Sequence, residues 1–291
     1  MSSGESAGSY YRPEQVARYF DELGIGEWNR LARTAVDEVS LFIHSHYLEQ
    51  YVAPGARVLE VGAGAGRFTE RLAALGAHIL VADLSQEQLR LNRQRARDRQ
   101  FAGAVEDWLQ LDICAMDPLP ARSFDVVVAY GGPLSYVFER RDEALRQCLR
   151  VLKPRGRLLL SVMSLWGSLH RHLESVLALP AAGNREIIAT GDLSPKSVPG
   201  GDHYMHLFRS AELRAWLESH DLHLLALSAS NCLALGWEEL LDEVKQDEQK
   251  WRELLQMELE ACAGPGSLDM GTHLIAVAQV PPHETAQAGA K

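Results

Sequence analysis

Along most of this chain, short apolar runs alternate with stretches whose apolar positions recur at helical spacing. A short apolar run between turn signals predicts a strand, and apolar positions three or four apart predict a helix. Such an alternation predicts a parallel sheet covered by helices on both faces. The predicted strands are 57–61, 77–82, 108–111, 124–130, 157–164, 223–230 and 272–280. The predicted helices of this region are 68–75, 86–100, 139–152, 210–219 and one long amphipathic helix at 236–262.

The alternation also predicts how the chain is organised. Residues 1–52 have helical periodicity and come before the first strand, so they form an N-terminal helical lid or arm. Residues 53–164 form the first part of the sheet, and residues 206–280 form its second part with the long helix. Between them, residues 165–205 form an insertion of apolar helical pieces and a loop rich in Gly, Pro and Ser. Residues 281–291 are a polar, loose tail.

Composition narrows the class of protein. Apolar content of 46% is that of an ordinary globular domain, and no apolar run approaches the roughly 18–20 residues of a membrane span. The small polar N-terminus does not match a signal peptide. The net charge of −10 argues against a nucleic-acid partner. Four scattered cysteines, Cys114, Cys148, Cys232 and Cys262, predict buried free thiols, no metal site and a cytoplasmic location.

A glycine-rich loop follows the first predicted strand, in "VLEVGAGAGRFTE". Glycines at this place allow a tight turn and the close approach of a ligand to the main chain. A dinucleotide fingerprint would have the spacing G-x-G-x-x-G, but the glycines here are Gly62, Gly64 and Gly66, and Arg67 occupies the third position of that fingerprint. The loop therefore disfavours an NAD-dependent oxidoreductase.

Two acidic residues follow the next two predicted strands. Asp83 ends the second strand, where a carboxylate can accept hydrogen bonds from both hydroxyls of a ribose. Asp112 and Ile113 follow the third, where an acid can accept from an adenine amino group while the apolar neighbour packs on the ring. All of these positions lie beyond the carboxyl ends of strands, which is where open α/β sheets bind ligands.

Five segments together resemble the successive motifs of class I S-adenosylmethionine-dependent methyltransferases. They are "VLEVGAGAGRF", "VADLSQEQL", "LQLDICAM", "FDVVVAYGGPLSYV" and "LRVLKPRGRLLLSV". The resemblance is strong over residues 55–164 and looser over 206–280, and it points to a small bacterial branch, of type 11 or 12, with a helical N-terminal lid. It implies an α/β fold: a doubly wound, Rossmann-like, seven-stranded, mostly parallel sheet with an antiparallel last strand, plus the lid and insertions.

The resemblance also implies a cofactor and the residues that hold it. The cofactor would be S-adenosyl-L-methionine, with S-adenosyl-L-homocysteine as its product. The glycine loop would line the methionine part, Asp83 the ribose, and Leu84, Asp112 and Ile113 the adenine. The implied cofactor residues are Glu60, Gly62, Ala63, Gly64, Gly66, Asp83, Leu84, Asp112, Ile113, Tyr130 and Gly131.

The segment "AYGGPLSYV" should lie beside the sulfonium, with Gly132, Pro133 and Tyr136 facing the acceptor. It resembles the "GPLYHL" of that bacterial branch, but Ser135 and Tyr136 stand where the pattern has Tyr and His. Any role of that histidine therefore has no counterpart here. The chain also lacks the Asn-Pro-Pro-Tyr motif typical of enzymes that methylate amide or base nitrogens.

Other candidate acceptor residues come from segments expected to cover the site. The stretch "GGDHYMHLF" supplies His203, Tyr204 and His206, and an imidazole there could act as a general base at neutral pH. His203, Tyr136 and His206 are the catalytic candidates. Tyr11 and Tyr19 of the N-terminal arm are candidate substrate contacts. The alternatives are that the two histidines bond to backbone and that Tyr19 packs on the core.

We therefore expect a methyltransferase that acts on a small molecule through an O, N, S or activated C atom, as a monomer or homodimer, without a nucleic-acid or membrane partner. In-line displacement mainly requires alignment of the two reactants, with a general base where the acceptor loses a proton. Two alternatives remain open: a methyltransferase acting on protein or tRNA, and a non-catalytic scaffold subunit that binds the cofactor.

Overall fold

The computed structural model describes residues 10–30, 32–201 and 203–282, so most of the predicted tail lies outside the described residues. The strands are β1 (Arg57–Val61), β2 (His78–Asp83), β3 (Val105–Gln110), β4 (Phe124–Ala129), β5 (Leu152–Met163), β6 (Asp192–Leu193), β7 (Met205–His206), β8 (His223–Ala229) and β9 (His273–Gln279). The helices are α1 (Pro13–Leu23), α2 (Gly26–Arg30), α3 (Ala35–Tyr51), α4 (Arg67–Ala74), α5 (Gln86–Asp98), α6 (Pro133–Tyr136), α7 (Arg141–Val151), α8 (Leu165–Arg171), α9 (Leu173–Leu177), α10 (Ala181–Thr190), α11 (Ser210–Glu218), α12 (Glu238–Val244) and α13 (Glu248–Ala263).

Seven strands form the main sheet, in the order β3-β2-β1-β4-β5-β9-β8. The pairs from β3 to β5 are parallel, and β9 runs antiparallel to both β5 and β8. The predicted fold class is therefore confirmed: a doubly wound, mostly parallel sheet whose last strand is antiparallel. This strand order places the carboxyl ends of β1 and β4 side by side at the switch point of the sheet, where such folds bind ligands.

The central strands are apolar on both faces because helices cover both. Along β4, Val127 and Ala129 belong to one core, whose other members include residues of α7 and α11. Val126 and Val128 point the other way, into a second core shared with α3 and α4. A strand that is buried on both faces reads as a continuous apolar run, which is why β4 stands out in the sequence. All four cysteines are free and buried, as predicted.

The described residues before β1 include three helices: α1 and α2 cover the cleft at the carboxyl edge of the sheet, and α3 packs on one of its faces. The longest, α3, starts at a capping box in which Thr34 Oγ1 accepts from the Asp37 amide at 3.2 Å and Asp37 Oδ2 accepts from the Thr34 amide at 3.1 Å. The first helix, α1, is fastened to the start of α5, where Asp21 Oδ1 accepts from Ser85 Oγ at 2.5 Å and from the Glu87 amide at 3.1 Å. We call α1 and α2 together the lid.

The prediction of a single long helix at 236–262 is wrong, because the structure has two helices there, α12 and α13. The second begins at its own N-cap, Asp247, whose Oδ1 accepts from the Gln249 and Lys250 amides at 3.0 and 3.1 Å. The apolar face continues across the break, from Leu241 to Leu254, so hydrophobic periodicity alone could not reveal it.

The insertion after β5 contains three short helices and a two-stranded antiparallel ribbon that the sequence analysis missed. In this ribbon, Asp192 pairs with His206 and Leu193 with Met205. The expected boundary at residue 205 therefore runs through β7. Strands of two residues are too short to show periodicity. Within the described ranges, every helix falls short of the length and apolar character that crossing a membrane requires.

Candidate active site

A cleft lies at the carboxyl ends of the central strands, beneath the lid. Its floor is the glycine loop and the segments that follow β2, β3 and β4, and its roof comes from the two lid helices. The residues predicted from sequence that line it are Tyr11, Gly62, Ala63, Gly64, Asp83, Leu84, Ile113, Tyr130, Gly131, Pro133 and Tyr136. The predicted residues outside this lining, as far as the described residues show, are Tyr19, Glu60, Gly66, Asp112, Gly132, His203, Tyr204 and His206.

The three loop glycines all have backbone angles that L side chains rarely adopt. Their φ values are +68° at Gly62, +53° at Gly64 and +97° at Gly66. A Cβ on Gly62 would stand 3.0 Å from Pro133 Cβ, and one on Gly66 would stand 3.1 Å from Asn92 Cγ. Glycine is therefore required by both conformation and space, and the main chain of the loop is left open toward the cleft.

Asp83 is one of the acids that line the cleft, and it is oriented by two backbone amides. Its Oδ2 accepts from the Gly64 amide and its Oδ1 from the Ser85 amide, each at 2.8 Å. Burial raises the pKa of Asp83 to about 6, and the two amide bonds oppose that rise. Each oxygen of a carboxylate has a further acceptor position, so Asp83 can bind two neighbouring hydroxyls.

Glu60 lies behind the glycine loop in a buried hydrogen-bond chain. Trp108 Nε1 donates to Asn92 Oδ1 at 2.9 Å, and Asn92 Nδ2 donates to Thr69 Oγ1 at 2.8 Å and to the Gly64 carbonyl at 3.2 Å. Thr69 Oγ1 then donates to Glu60 Oε2 at 2.7 Å. Burial raises the pKa of Glu60 to about 8. The geometry gives Glu60 a supporting position behind the loop, connected to it through Thr69 and Asn92.

Tyr11 lies at the opposite end of the cleft from its expected place at the acceptor. Its hydroxyl donates to Asp112 Oδ1 at 2.7 Å, which also accepts from the Cys114 amide at 2.8 Å. Ile113 and Leu84 line the cleft beside them. The structure thus brings Tyr11, in the segment before α1, to the acid and apolar pair that the sequence suggested for an adenine.

Arg67, the residue that replaces a dinucleotide-binding glycine, fastens the lid. Its Nη2 and Nε donate to the Trp28 carbonyl at 2.8 and 3.3 Å, and its guanidinium lies 3.9 Å from the centre of the Trp28 ring. Arg95 covers the same ring at 3.5 Å. Trp28 and Arg67 both line the cleft. No spacing in the sequence signals this contact, because the two partners are far apart along the chain.

A charged pair of the lid stands over the methionine end of the expected cofactor position. Arg30 donates to both oxygens of Glu27, at 2.8 and 2.6 Å. Glu27 Cγ lies 3.5 Å from the place a Gly64 Cβ would take, and Arg30 Nη2 lies 4.0 Å from that of Gly131. A carboxylate and a guanidinium side by side complement the ammonium and carboxylate of an amino acid. Sequence reasoning missed Glu27, whose one signal was its position three residues before Arg30.

Three buried polar groups meet behind the cleft on the side of β9. The His44 ring lies 4.9 Å from the Tyr130 ring and 5.9 Å from the His273 ring. His44 Nδ1 donates to the Ser40 carbonyl at 2.8 Å, which leaves Nε2 as the acceptor of the neutral ring. Within the described part of the chain, His44 Nε2, His273 Nε2 and the Tyr130 hydroxyl have no hydrogen-bond partner. Burial lowers the pKa of His44 to about 4 and that of His273 well below its ordinary value.

Tyr136 is the catalytic candidate that lines the cleft. It ends α6, whose N-cap is Gly132 with φ +91°, and α6 is held to β5 by Ser135 Oγ, which accepts from the Met163 amide at 2.9 Å. Burial raises the pKa of the Tyr136 hydroxyl above its ordinary value, so the group is neutral at physiological pH. Tyr136 is therefore suited to donate a hydrogen bond, and it is a poor base.

His203 and Tyr204 lie beyond Tyr136, in a second, smaller cavity. The His203 ring stacks on Tyr19 with centres 3.8 Å apart and packs 4.9 Å from Tyr136. This stack joins the lid to the loop before β7. His203 as general base stays a prediction; the observed position is one residue layer away from the cleft.

His206 is held between two carboxylates. Its Nδ1 lies 2.6 Å from Asp192 Oδ1 and its Nε2 lies 2.9 Å from Glu212 Oε1. Burial lowers its pKa, but the bonds to both carboxylates outweigh that effect and the pKa is raised. A protonated imidazole with both nitrogens engaged cannot accept a proton, so the structure argues against the catalytic role expected from the sequence.

Comparison with known proteins agrees with this geometry. A family model described as a methyltransferase domain matches residues 59–160. The chain is 32% identical to a ubiquinone biosynthesis O-methyltransferase of Xanthomonas axonopodis pv. citri, over 62% of this chain and 69% of the relative. It is 40% identical to the ubiquinone/menaquinone biosynthesis C-methyltransferase UbiE of Ectopseudomonas mendocina, but over 37% of this chain and 42% of that relative's length.

A solved structure with a similar fold is that of the [4+2]-cyclase SpnF, with a TM-score of 0.62 and 20% identity, covering 94% of this chain and 98% of the other. At this identity the likeness concerns the fold alone. Since a protein named as a cyclase has this fold, the fold by itself does not show which reaction the cleft performs.

Proposed function

Because this chain belongs to the class I S-adenosylmethionine-dependent methyltransferases, we propose that it transfers the methyl group of S-adenosylmethionine to a small-molecule acceptor. The observation that carries the proposal is the cleft itself. Three features meet at one edge of the sheet. They are the loop of glycines with positive φ, the buried Asp83 that two backbone amides orient, and the acid Asp112 just after β3.

The described residues fit the proposed cofactor from end to end. Asp83 would hold the ribose hydroxyls, and Leu84 and Ile113 would pack on the adenine. Asp112 would accept from the adenine amino group if the Tyr11 hydroxyl made room or shared it. The Glu27–Arg30 pair would face the charged methionine end, beside the open main chain of Gly64 and Gly131.

Bound S-adenosylmethionine supplies an electrophilic methyl group, which passes to a lone pair of the acceptor while the carbon–sulfur electron pair returns to sulfur. The chain's contribution is alignment and exclusion of water, which the lid over the cleft provides. Tyr136 would donate a hydrogen bond to the acceptor. An acceptor that must lose a proton needs a base, for which His203 remains our candidate.

Three features favour a small acceptor over protein or tRNA. The lid is fastened over the cleft through Asp21, Gln88 and Arg67. Met205 of the ribbon packs in one cluster with Tyr136, which lines the cleft, and a chain of net charge −10 is unsuited to RNA. The two relatives methylate an O and a C atom according to their names, so we leave the acceptor atom open. Four free buried thiols agree with a cytoplasmic enzyme.

Binding of S-adenosylhomocysteine to the wild type and to Asp83→Ala tests the proposal. The change removes two charge-assisted hydrogen bonds to ribose, each worth about 1.5–3 kcal/mol, so binding should weaken by roughly 100-fold or more. Asp98→Ala, an exposed acid at the end of α5, is the matched control and should bind like the wild type. Unchanged affinity of Asp83→Ala, or tighter binding of NAD than of S-adenosylhomocysteine by the wild type, would refute the assignment.

A further inference from the structure

An apolar groove lies on the surface of the molecule, between α12 and α13. None of its described lining residues belongs to the cofactor cleft. Trp237 is 58% exposed there and Leu240 is 49% exposed. Contiguous exposed apolar surface of this kind marks an interaction site in soluble proteins. The apolar side chains that line the groove are Leu233, Trp237, Leu240, Leu241, Val244, Leu254 and Met257.

The walls of the groove are held in place by hydrogen bonds within the chain. Asp247 caps the start of α13, so that α12 and α13 form two separate walls. Glu258 accepts from the Cys232 and Ala234 amides at 2.9 and 2.6 Å, which holds the loop that carries Leu233 against α13. Two helical walls offer side chains but no free main-chain groups. Such a groove accepts the apolar face of another helix, whereas an added strand would need an open sheet edge.

The chain around the groove is strongly negative. Residues 238–260 contain nine acids and three bases, so this stretch carries six of the ten net negative charges of the protein. Each of the three bases is paired within the chain: Lys245 with Glu38, Lys250 with Asp247 and Arg252 with Glu248.

Five of these acids have no such partner. Glu253 lines the groove, and the other four belong to α12, which forms one of its walls. Exposed carboxylates beside an apolar groove complement cationic side chains that flank an apolar face. The acids that form no ion pair within the described part of the chain are Glu238, Glu239, Asp242, Glu243 and Glu253.

The charge and the sequence argue against other occupants of the groove. A second copy of the chain would place six net negative charges against another six, and facing like charges oppose association. Anionic membrane surfaces and nucleic acids are repelled for the same reason. The termini outside the described residues, 1–9 and 283–291, contain Met1 as their one large apolar residue, so they lack an apolar face that could fill the groove.

We propose that the groove between α12 and α13 is a docking site for a basic amphipathic helix of a partner protein. The apolar face of that helix lies against Trp237 and Leu240, and its lysines or arginines pair with acids such as Glu243 and Glu253. Because the groove and the cleft have no described lining residue in common, the partner and the cofactor can bind together.

Titration of the full chain into three fluorescently labelled peptides, each of roughly 18 residues or about five helical turns, tests the proposal. The first is an amphipathic helix of leucine and lysine. The second has glutamate in place of every lysine, and the third has the residues of the first in an order that leaves no apolar face. Fluorescence anisotropy should show that the first binds about tenfold or more tightly than either of the others, because only it matches both the apolar walls and the acids. Equal binding of the first and second peptides, or of the first and third, would overturn the proposal.

A change in the apolar wall locates the binding. Leu240→Ser should weaken binding of the lysine peptide by about tenfold, because it removes an apolar contact in the groove. Leu177→Ser, at an exposed leucine of α9 outside the groove, is the matched control and should bind like the wild type. Both side chains are exposed, so the midpoint of thermal unfolding should stay unchanged. Equal binding by the two variants would contradict docking in this groove.

A reversal of charge tests the acids. Glu243→Lys together with Glu253→Lys should move the preference from the lysine peptide toward the glutamate peptide. Glu174→Lys together with Asp117→Lys changes the net charge by the same amount at exposed positions outside the groove, and it should keep the preference for lysine. A preference for lysine that survives the first pair of changes, or that both pairs abolish equally, would overturn the proposal.

Sedimentation velocity of the chain without peptide distinguishes a partner helix from a second copy. The wild type and Leu240→Ser should sediment alike, because the groove takes no part in self-association. A wild-type dimer that Leu240→Ser dissociates would place a second copy in the groove and would overturn the proposal.

Discussion

The cofactor side of the cleft and its acceptor side are built from different kinds of residue. On the cofactor side the loop after β1 and the ends of β2 and β3 contribute backbone amides and carboxyls, each within a few residues of a strand. On the acceptor side the walls are rings brought together from the lid, α6 and the loop before β7. The first arrangement suits a ligand of fixed structure, and the second can change with the acceptor while the sheet stays the same.

Two groups of buried titratable residues lie behind the cofactor side, and burial shifts their pKa values in opposite directions. Behind the glycine loop, burial raises the pKa of Glu60 to about 8 and that of Asp83 to about 6. Behind Tyr130, burial lowers the pKa of His44 to about 4. Both kinds of group are favoured in their neutral form, but pH acts on them in opposite directions. The stability of the protein should therefore fall toward high pH through Glu60 and Asp83 and toward low pH through His44.

The largest effect is expected from Glu60→Gln. In the folded protein Glu60 keeps its proton up to about pH 8, whereas in the unfolded chain it loses it near its ordinary pKa of 4.5. Folding therefore becomes less favourable as pH rises between these values, by up to about 5 kcal/mol. Glutamine retains an acceptor for Thr69 but does not titrate. Denaturant unfolding of the ligand-free protein at pH 5 and pH 8 should show a smaller loss of stability for the variant than for the wild type.

Glu60→Asp is the matched control for that measurement, because it keeps a titrating carboxyl in the same position. It should retain the decline toward high pH whatever its overall stability. Equal pH slopes for the wild type and Glu60→Gln would show that Glu60 is not the group responsible for the decline toward high pH.

His44→Phe should change the dependence of stability on pH at the acidic end, by a smaller amount than Glu60→Gln changes it at the basic end. Below pH 6.5 the unfolded chain binds a proton at this histidine, but the folded protein resists it until about pH 4. Stability should fall by about 3 kcal/mol as pH drops across this window, and phenylalanine removes that loss. The Ser40 carbonyl that His44 contacts lies within α3, so the ring can be replaced without stranding an acceptor. Unfolding at pH 7 and pH 4.5 measures the difference; an unchanged slope would contradict it.

The cofactor side could be predicted from sequence because its requirements are local. The positive φ at position 62 requires glycine, and Asp83 is the last residue of the apolar strand β2. The edge strand β3 was predicted too short, at 108–111, because its residues are largely exposed and lack a continuous apolar run. Its pairing with β2, rather than its own pattern, extends it to Val105.

The acceptor side could not be predicted in the same way, because its contacts join distant segments. His206 looked like a free loop imidazole, and its carboxylate partners, Asp192 and Glu212, have no spacing rule that links them to it. Tyr11 is held by a hydrogen bond to Asp112, a residue far away in the sequence, and periodicity does not specify such a contact. His203 and Tyr204 were predicted to lie near the acceptor, and the structure places them outside the cleft, in a cavity that Tyr10 and Phe138 also line.

The smallest effect is expected where the two sides meet, in the lid. Arg67 fastens the lid to the cofactor side through two hydrogen bonds and a stacked ring at Trp28, whereas on the acceptor side the stack of Tyr19 on His203 joins it to the insertion. Arg67→Ala should cost the closed lid about 1–2 kcal/mol and speed the release of S-adenosylhomocysteine by roughly tenfold. Arg71→Ala, one turn further along α4 and exposed, should release it at the wild-type rate. Stopped-flow measurement of the release rate of S-adenosylhomocysteine tests this expectation. Equal rates for Arg67→Ala and Arg71→Ala would contradict it and would show that the stack of Tyr19 on His203 limits lid opening. Tyr19→Leu should then be the variant that accelerates release.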